Sequence, residues 1–328
     1  MIEIKRSSDA ADGAAYSGSP CDRSACRGTT RQATQSGDAT TYKTILVHVD
    51  GSAHQQSRLL AAALLADEHG GHVVGSAATG MSKAGYAVLN GSMAMPVSNR
   101  EFQDLRNEAA ALLDGFVDQA ARLGMQAPET RLVEDSTRDG LLLQSRYADL
   151  VVLSQDNGAG AAKPGLEEGA LRGALRGLPQ YLALHGVRPV LVVPASYRGQ
   201  PLAANVLVGW DGGVPAQRAI GAALPLLRAA GSVRLAVINP DDQPGLHGDQ
   251  PGADMALHLA RHGVRVDVEV ERTRAPEAEA LMDMAHDCHA GLLVTGAFGH
   301  SRYREWMLGG VTREMLDHAP APDRKSVV

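Results

Sequence analysis

The chain contains two copies of one pattern, which opens with an apolar strand that ends in Asp-Gly. Residues 44–51 read TILVHVDG, and residues 205–212 read NVLVGWDG. The two strand-end carboxylates, Asp50 and Asp211, are 161 positions apart. An internal repeat on this scale predicts two domains of the same fold rather than one large domain.

The two copies continue in the same order along the chain. A helix, a second strand, a later strand and a final helix recur at 57–69, 72–77, 148–154 and 178–185 in the first copy, and at 216–230, 232–239, 290–296 and 311–318 in the second. Strands such as 150–153 are apolar throughout, which is typical of a parallel sheet covered by helices on both faces. Each half is therefore predicted to be an α/β domain with a five-stranded, doubly wound parallel sheet that binds ligands at the carboxyl ends of its strands.

The predicted domains occupy 42–198 and 203–320. The preceding leader, 1–41, is rich in Ser, Thr, Gly, Ala and Asp without periodicity, so we expect it to be disordered. The first half is longer than the second, and we assign its additional residues to loops at 80–99 and 157–177. Glycines at the ends of the first helix of each copy, Gly70 and Gly231, are predicted to be C-terminal helix caps.

The end of the second copy departs from the repeat. The first copy closes with a fifth apolar strand, PVLVVP at 189–194, whereas the second closes with APAPDRKSVV at 319–328. The charged Asp-Arg-Lys segment would lose too much hydration in a buried central strand. We therefore predict that the second domain lacks a clear fifth strand, that 321–328 is a tail, and that an open sheet edge is left behind.

Composition limits the classes of function. A hydrophobic content of 44% over 328 residues is enough for two packed cores, and no apolar run reaches the roughly 18 residues of a membrane span. The formal charge of −6, with basic residues scattered along the chain, argues against a nucleic-acid partner. Three cysteines do not make a disulfide framework, so a cytoplasmic location is expected.

A glycine-rich segment follows the late strand of the second copy. It reads VTGAFG at 294–299 and, after nine further residues, GGVT at 309–312. Glycines between a strand and a helix N-terminus allow backbone N–H groups to approach a phosphate closely. Because this loop follows a buried strand and accompanies an Asp-ended first strand, it predicts a phosphate or nucleotide site better than glycines alone would.

The loop resembles the Gly-x2-Gly-x9-Gly-Ser/Thr nucleotide loop of the universal stress protein family, and residues 42–320 resemble a tandem member of that family. One position departs from the motif, since Gly310 stands where the family has Ser or Thr. The resemblance implies a Rossmann-like fold of the adenine nucleotide alpha hydrolase type. It also implies a pseudo-symmetric pairing of the two halves, with a homodimer as a further possibility, and adenine-nucleotide binding in some members.

By this resemblance the second half carries the site. Asp211 would face the adenine and ribose, and Val237 would line the base pocket. The loop residues would surround the ribose and phosphates; they are Gly296, Gly299, His300, Gly309, Gly310, Val311 and Thr312. The expected ligand is ATP or ADP, with or without Mg²⁺. Losing the hydroxyl at Gly310 removes one hydrogen bond, worth about 0.5–1.5 kcal/mol, which would weaken binding without abolishing it.

The first half is predicted to be a degenerate copy of the site. Its loop reads SQDN at 154–157 and RGLP at 176–179. Pro179 has no backbone N–H to donate, and Asp156 would repel a phosphate. Asp50 remains, but Asp before Gly at a strand end is also a common turn signal, and its recurrence in both halves fits either a binding or a turn role.

The function expected from these patterns is that of a non-catalytic, stress-linked protein with one adenine-nucleotide site. The alternative is an interaction module that binds no nucleotide and acts through surfaces between halves and between chains. Slow ATP hydrolysis ranks last because no residue is an evident general base. The HDCH sequence at 286–289 matches no common zinc spacing, so a structural role at a helix end is favoured over a metal site.

Overall fold

The computed structural model describes residues 2–5, 41–82, 84–85, 99–155, 177–242, 244–297 and 326–327. Preceding the first domain is strand β1 (Ile2–Lys5). The first domain consists of β2 (Thr44–His48), α1 (Gln55–His69), β3 (His72–Ala78), α2 (Asn99–Arg122), β4 (Glu129–Val133), α3 (Thr137–Ser145), β5 (Leu150–Ser154), α4 (Leu178–His185) and β6 (Val190–Val193). The strands and helices alternate as the repeat predicts.

As far as β10 the second domain repeats this order, with a 3₁₀ turn and two helices in place of α2. It consists of β7 (Asn205–Gly209), α5 (Val214–Ala229), β8 (Ser232–Ile238), a 3₁₀ turn (Pro240–Asp242), α6 (Pro244–His247), α7 (Ala253–Arg261), β9 (Asp267–Glu271), α8 (Glu277–Asp287) and β10 (Leu292–Val294). A two-residue strand, β11 (Ser326–Val327), follows near the C-terminus. The described elements therefore confirm two doubly wound α/β domains.

Hydrogen bonding joins the strands in the order β1-β4-β3-β2-β5-β6-β11-β10-β7-β8-β9. Within each domain the pairings are parallel, and β6 pairs antiparallel with β11. The order on one side of the β6–β11 contact repeats in reverse on the other side. The two domains are thus related, in sheet topology, by an approximate two-fold at this contact.

The fifth strand position of the second domain is short but filled. β11 has two residues against the four of β6, so the second domain lacks a fifth strand of full length, as predicted. The prediction of an open edge is wrong, however, because β11 pairs in parallel with β10 and Val327 pairs with Val192 of β6. The reason is that the segment after Asp-Arg-Lys, Ser326–Val327, carries no charge and can enter the sheet.

The strand β1 also differs from the prediction, since residues 2–5 lie in the leader that we expected to be disordered. Ile2 pairs antiparallel with Val133 and Lys5 with Thr130, so β1 extends the sheet beyond β4. The sequence IEIK alternates apolar and charged residues, which suits a strand at the sheet edge. Four residues are too few for this alternation to stand out in a polar leader.

The core packs both faces of the sheet. One large cluster contains buried residues of both domains, including Tyr42, Leu59 and Leu226. Two smaller clusters lie on the other face, one built on β5 and β6 in the first domain and one on β7 and β10 in the second. The Tyr42 hydroxyl crosses between the domains and donates to the Ala222 carbonyl of α5 at 2.7 Å.

The two predicted helix caps have different outcomes. Gly70 ends α1 in the left-handed conformation with φ of 57°, which confirms its role as a cap. Gly231 does not adopt positive φ; instead, a Cβ at this residue would lie 2.7 Å from the Ala204 carbonyl oxygen. Glycine is needed there because two backbone segments meet, not because the helix ends. No described helix is both long and apolar enough to cross a membrane.

Candidate functional site

Both strand-end aspartates fold back onto the turn that follows them. Asp50 Oδ1 accepts a hydrogen bond from Ser52 N at 3.0 Å, and Asp211 Oδ1 accepts one from Gly213 N at 2.8 Å. Each carboxylate therefore has the turn-forming role that Asp-Gly at a strand end suggests. Because β2 and β7 are central parallel strands, both turns lie at the carboxyl edge where doubly wound sheets bind ligands.

In the first domain an arginine of α1 occupies this edge. The Arg58 guanidinium binds both carboxylate oxygens of Asp50, with NH2 on Oδ1 and NH1 3.2 Å from Oδ2. Arg58 NH1 also donates to Ser154 Oγ at 2.8 Å. The arginine side chain is only 1% exposed. One buried side chain therefore connects the strand-end carboxylate to the start of the loop after β5.

Further side chains complete the cluster around Asp50. Gln55 Oε1 accepts from the backbone N–H groups of Asp50 at 3.3 Å and Gly51 at 3.0 Å. Gln55 Nε2 in turn donates to Gln119 of α2 at 3.3 Å. His48 Nδ1 lies 3.9 Å from Asp50 Oδ2. The strand end of the first domain is thus filled by polar groups of the chain itself.

The charges in this cluster shift its titration. Burial lowers the pKa of His48 to about 4, with Asp50 opposing and Arg58 adding to the shift. For Asp50, burial would raise the pKa, but the Arg58 guanidinium, with smaller contributions from His48 and hydrogen bonds, holds it well below its usual range. Around neutral pH the cluster therefore contains a neutral imidazole and an ion pair between the buried Arg58 guanidinium and the Asp50 carboxylate, whose side chain is 25% exposed.

The second domain has small residues at the corresponding positions. Counting from the two aspartates, Gly209, Ala216 and Ala219 stand where the first domain has His48, Gln55 and Arg58. At the end of the later strand, Gly296 stands where the first domain has Ser154. Each large or polar side chain of the first cluster therefore has a hydrogen atom or a methyl group at the corresponding position of the second half.

Gly296 lies directly against the N-terminus of α5. A Cβ at Gly296 would come within 2.4 Å of Ala216 N and 2.7 Å of the Pro215 carbonyl carbon, so no residue other than glycine fits without moving the backbone. The loop that leaves β10 is therefore held next to the first turn of α5. Asp211 lies just before the same helix, which begins at Val214.

Val237, which by the resemblance would line a base pocket through its backbone and side chain, is the penultimate residue of β8. Its side chain is fully buried in β8. A side chain at Gly252 would approach Val237 Cγ2 to 3.1 Å and Val268 Cγ1 to 2.9 Å, so Val237 packs beneath the start of α7. The Val237 backbone lies near the carboxyl end of β8 and pairs with Val270 of β9.

A short helix and a strand-end asparagine border the second site. Leu246 of α6 lies over the turn after Asp211, where a Cβ at Gly212 would be 2.8 Å from Leu246 Cβ. Asn239, with φ of 47°, accepts from Thr273 N at 2.9 Å through its side chain and so ties the end of β8 to the segment after β9. Both contacts fix the backbone at the carboxyl edge of the sheet.

The structure brings together two of the predicted site residues, Asp211 and Gly296, at the start of α5. The others, Gly299, His300, Gly309, Gly310, Val311 and Thr312, lie outside the described residues, as does the predicted helix at 311–318. Among the described residues no three His, Cys, Asp or Glu side chains gather into a group able to hold a metal. His286 and His289 lie at and just after the exposed end of α8.

Sequence reasoning missed Arg58 as a site residue. The signal was present in the sequence, because α1 reads SRLLAAALL and this lone arginine interrupts an otherwise apolar helix face. A buried arginine needs a carboxylate partner, and Asp50 ends the preceding strand, eight positions earlier. The repeat gives a second signal, because the residue that corresponds to Arg58 in the second half is Ala219.

The sequence of the second half is similar to that of a known family. Residues 203–323 match the sequence model of the universal stress protein family. The match begins at the predicted start of the second domain and includes Asp211, Gly296 and the whole glycine-rich loop. Curated protein sequences yield no match to the chain.

Solved structures share the fold over 88% of the chain. A universal stress protein from Archaeoglobus fulgidus DSM 4304 is 15% identical with a TM-score of 0.60, and the match covers 88% of this chain and 96% of that one. A putative universal stress protein from Pseudomonas aeruginosa UCBPP-PA14 is 15% identical, covers 88% and 93%, and has a TM-score of 0.52. A functionally unknown protein from Pseudomonas aeruginosa PAO1, also 15% identical, covers 88% and 92% with a TM-score of 0.51. The tandem arrangement of two universal stress protein folds is thus shared with these proteins.

Proposed function

We propose that the second domain binds an adenine nucleotide, ATP or ADP, and that the protein is a non-catalytic member of the stress-response class. The observation that carries this proposal is the close approach of Gly296 to the first turn of α5, 2.4 Å from a Cβ at Gly296 to Ala216 N. Gly296 opens the Gly-x2-Gly-x9-Gly loop, and Asp211 precedes Val214, the first residue of the same helix. The family match of 203–323 supports the same site.

The groups at this edge suit the parts of a nucleotide. A carboxylate such as Asp211 accepts hydrogen bonds from ribose hydroxyls, and backbone N–H groups of a glycine-rich loop donate to phosphate oxygens. A helix N-terminus adds a favourable dipole for an anion. The residues at 209, 216 and 219 are small, and the space beside Gly209 is filled by Leu281 and Thr295, 3.2 Å and 3.3 Å from a Cβ at this glycine. Mg²⁺ would accompany the phosphates as part of the ligand and is not required by any described residue.

Titration calorimetry of the full chain with ATP and ADP tests the proposal. We expect one nucleotide per chain and loss of measurable binding in Gly299→Val, which puts a branched side chain in the loop. Gly115→Val is the matched control, because a Cβ at Gly115 of α2 meets no atom within 4 Å. Mass spectrometry of denatured, freshly purified protein gives an independent measure of bound nucleotide.

The absence of heat from both nucleotides, or equal binding by wild type and Gly299→Val, contradicts the proposal. The first result together with no co-purified nucleotide would favour the alternative function, an interaction module that acts through its surfaces. Release of phosphate from ATP is measured in the same samples. A turnover above the background of the Gly299→Val variant would overturn the non-catalytic assignment.

A further inference from the structure

We propose that His258 and His262 of α7 form a surface site for a divalent transition-metal ion, with Cu²⁺ bound more tightly than Ni²⁺ or Zn²⁺. The two imidazoles supply two ligands, and water completes the coordination. Neither nucleotide binding nor the residues around Asp50 and Asp211 enter this proposal. A site of two protein ligands is compatible with the lack of a three-residue metal group in the described part of the chain.

The two histidines lie one turn apart on the outer face of α7. Met255 and Leu259 of this helix are 7% and 0% exposed and therefore define the face that points into the core. His258 is exposed and His262, the C-terminal cap, is half-buried. His262 N donates to the His258 carbonyl at 3.2 Å, so the two residues belong to one hydrogen-bonded turn. Residues four apart on a helix are side-chain neighbours.

The two imidazole rings already have the separation that a shared ion requires. Their centroids are 4.6 Å apart, with 62° between the ring planes. A metal ion lies about 2.0–2.1 Å from an imidazole nitrogen, so two rings at about 90–110° around one ion have centroids about 4.5–5 Å apart. Within the described residues, no hydrogen bond or ion pair engages either ring. A rotation of these side chains can therefore direct one nitrogen of each ring to a common point.

The helix that carries the pair is held in place at its C-terminal end. Arg228 Nε of α5 donates to the His262 carbonyl at 2.9 Å, which ties this end of α7 to the neighbouring helix. Arg228 and Arg261 are exposed at the same end, and Asp254 is exposed one turn before His258. These charges do not favour a cation in sum, so imidazole coordination has to hold the ion. Cu²⁺ binds nitrogen ligands most tightly among the divalent ions of the series.

A second histidine pair lacks this geometry. His286 and His289, three residues apart near the end of α8, have ring centroids 6.4 Å apart and planes at 26°. His289 Nδ1 lies 3.1 Å from the Asp287 carbonyl oxygen. Rings at this separation are too far apart to occupy adjacent positions around one ion. The protein therefore contains its own control for a pair of exposed histidines.

Thermal unfolding of the full chain with and without Cu²⁺ tests the site. With the free ion about tenfold above its Kd, we expect the wild-type Tm to rise by about 2–4 °C, because the ion binds the folded arrangement. His258→Ala should show no rise. The matched control is the double variant His262→Ala/Ala260→His, which keeps the number of histidines. Ala260 is exposed, but it lies two residues from His258 and so on a different face of the helix.

The double variant should also show no rise, whereas His286→Ala should respond like wild type. Calorimetric titration of the same proteins with Cu²⁺ measures the affinity directly. We expect the Kd of the tightest site to be at least about tenfold higher in His258→Ala and in the double variant, because a single imidazole loses the advantage of two linked ligands. Circular dichroism confirms that each variant is folded.

Three results would overturn the assignment of the site to His258 and His262. They are a wild-type Tm that does not rise with Cu²⁺, an equal rise in the double variant, and a rise that is lost in His286→Ala but kept in His258→Ala. A larger rise with Zn²⁺ or Ni²⁺ than with Cu²⁺ would overturn the order of affinities.

Discussion

The two strand-end aspartates show that the neighbouring residues decide the role of an aspartate. Asp50 and Asp211 make the same turn contact with the backbone two residues later. Asp50 then receives a buried guanidinium, whereas the helix beside Asp211 offers alanine at that position. The turn could be predicted from Asp-Gly, since it depends on local chain geometry. The ion pair could not be read from either residue alone, because it depends on how α1 is oriented against β2.

The buried His48 predicts how the stability of the protein depends on pH. The folded-state pKa of His48 is about 4, below its ordinary value of 6.5. A depressed histidine pKa means that the unfolded chain binds the proton more tightly, so stability is full above pH 6.5 and is lost as the pH falls towards 4. The loss over this range is about 3 kcal/mol. Asp50 stays ionised in the same window, because its pKa is held lower still.

His48→Gln should remove that part of the pH dependence. Urea unfolding of both proteins at intervals from pH 7 to pH 4 measures this dependence, with His258→Gln as the control because His258 is an exposed residue of α7. We expect the wild-type and control curves to fall together and the His48→Gln curve to be flatter. A His48→Gln protein whose stability falls as steeply as that of the control would show that His48 is not a buried neutral imidazole.

Helices and strands could be predicted from the sequence where an apolar run is also buried in the fold. The helix at 178–185 and the strands at 190–193 and 150–154 lie where their apolar residues indicate. The short strands were not predictable, because β1 and β11 have four and two residues and owe their conformation to the strands beside them. Pairing with β4 or with β6 and β10 is a tertiary effect that no local propensity encodes.

A longer β11 should stabilise the junction between the two domains. β11 contributes only two residues between β6 and β10, although the strand it faces across the two-fold has four. Replacing residues 321–328 with the PVLVVP sequence of 189–194 should add main-chain pairing and apolar burial. A gain of about 1 kcal/mol would raise the Tm by about 2–4 °C.

The control for this change is a tail of the same length in which the added valines are replaced by serine. Differential scanning calorimetry compares the three proteins at one concentration. The explanation fails if the valine-rich ending melts at the same temperature as wild type, or if the serine tail gives the same gain.

At the scale of the whole molecule, the two domains share one hydrogen-bonded sheet and one large core. The antiparallel β6–β11 contact places them about an approximate two-fold, and the large cluster contains residues from both sides. The repeat in the sequence predicts two similar domains, but it does not specify how they meet. That information lies in buried positions such as Tyr42, whose partner in the second domain, the Ala222 carbonyl, no sequence pattern indicates.

Removing the Tyr42 hydroxyl should weaken the attachment between the domains. Tyr42 is 2% exposed, and its O–H donates to the Ala222 carbonyl of the other domain at 2.7 Å. Burial also raises the pKa of Tyr42, so the hydroxyl remains a donor throughout the neutral and mildly alkaline range. Tyr42→Phe keeps the ring but removes the hydrogen bond to the Ala222 carbonyl. We expect the free energy of unfolding to fall by about 0.5–1.5 kcal/mol.

Tyr197→Phe is the matched control, because the Tyr197 hydroxyl donates at 2.8 Å to Gln200, three residues away, and links no second domain. Urea unfolding followed by the near-ultraviolet signal and by amide exchange distinguishes the two variants. In Tyr42→Phe, amides of α5 around Ala222 should exchange faster together with those of α1, since both helices bury residues in the shared core. In Tyr197→Phe, faster exchange should stay near residues 195–200. Equal and purely local effects in both variants would mean that this hydrogen bond does not couple the domains.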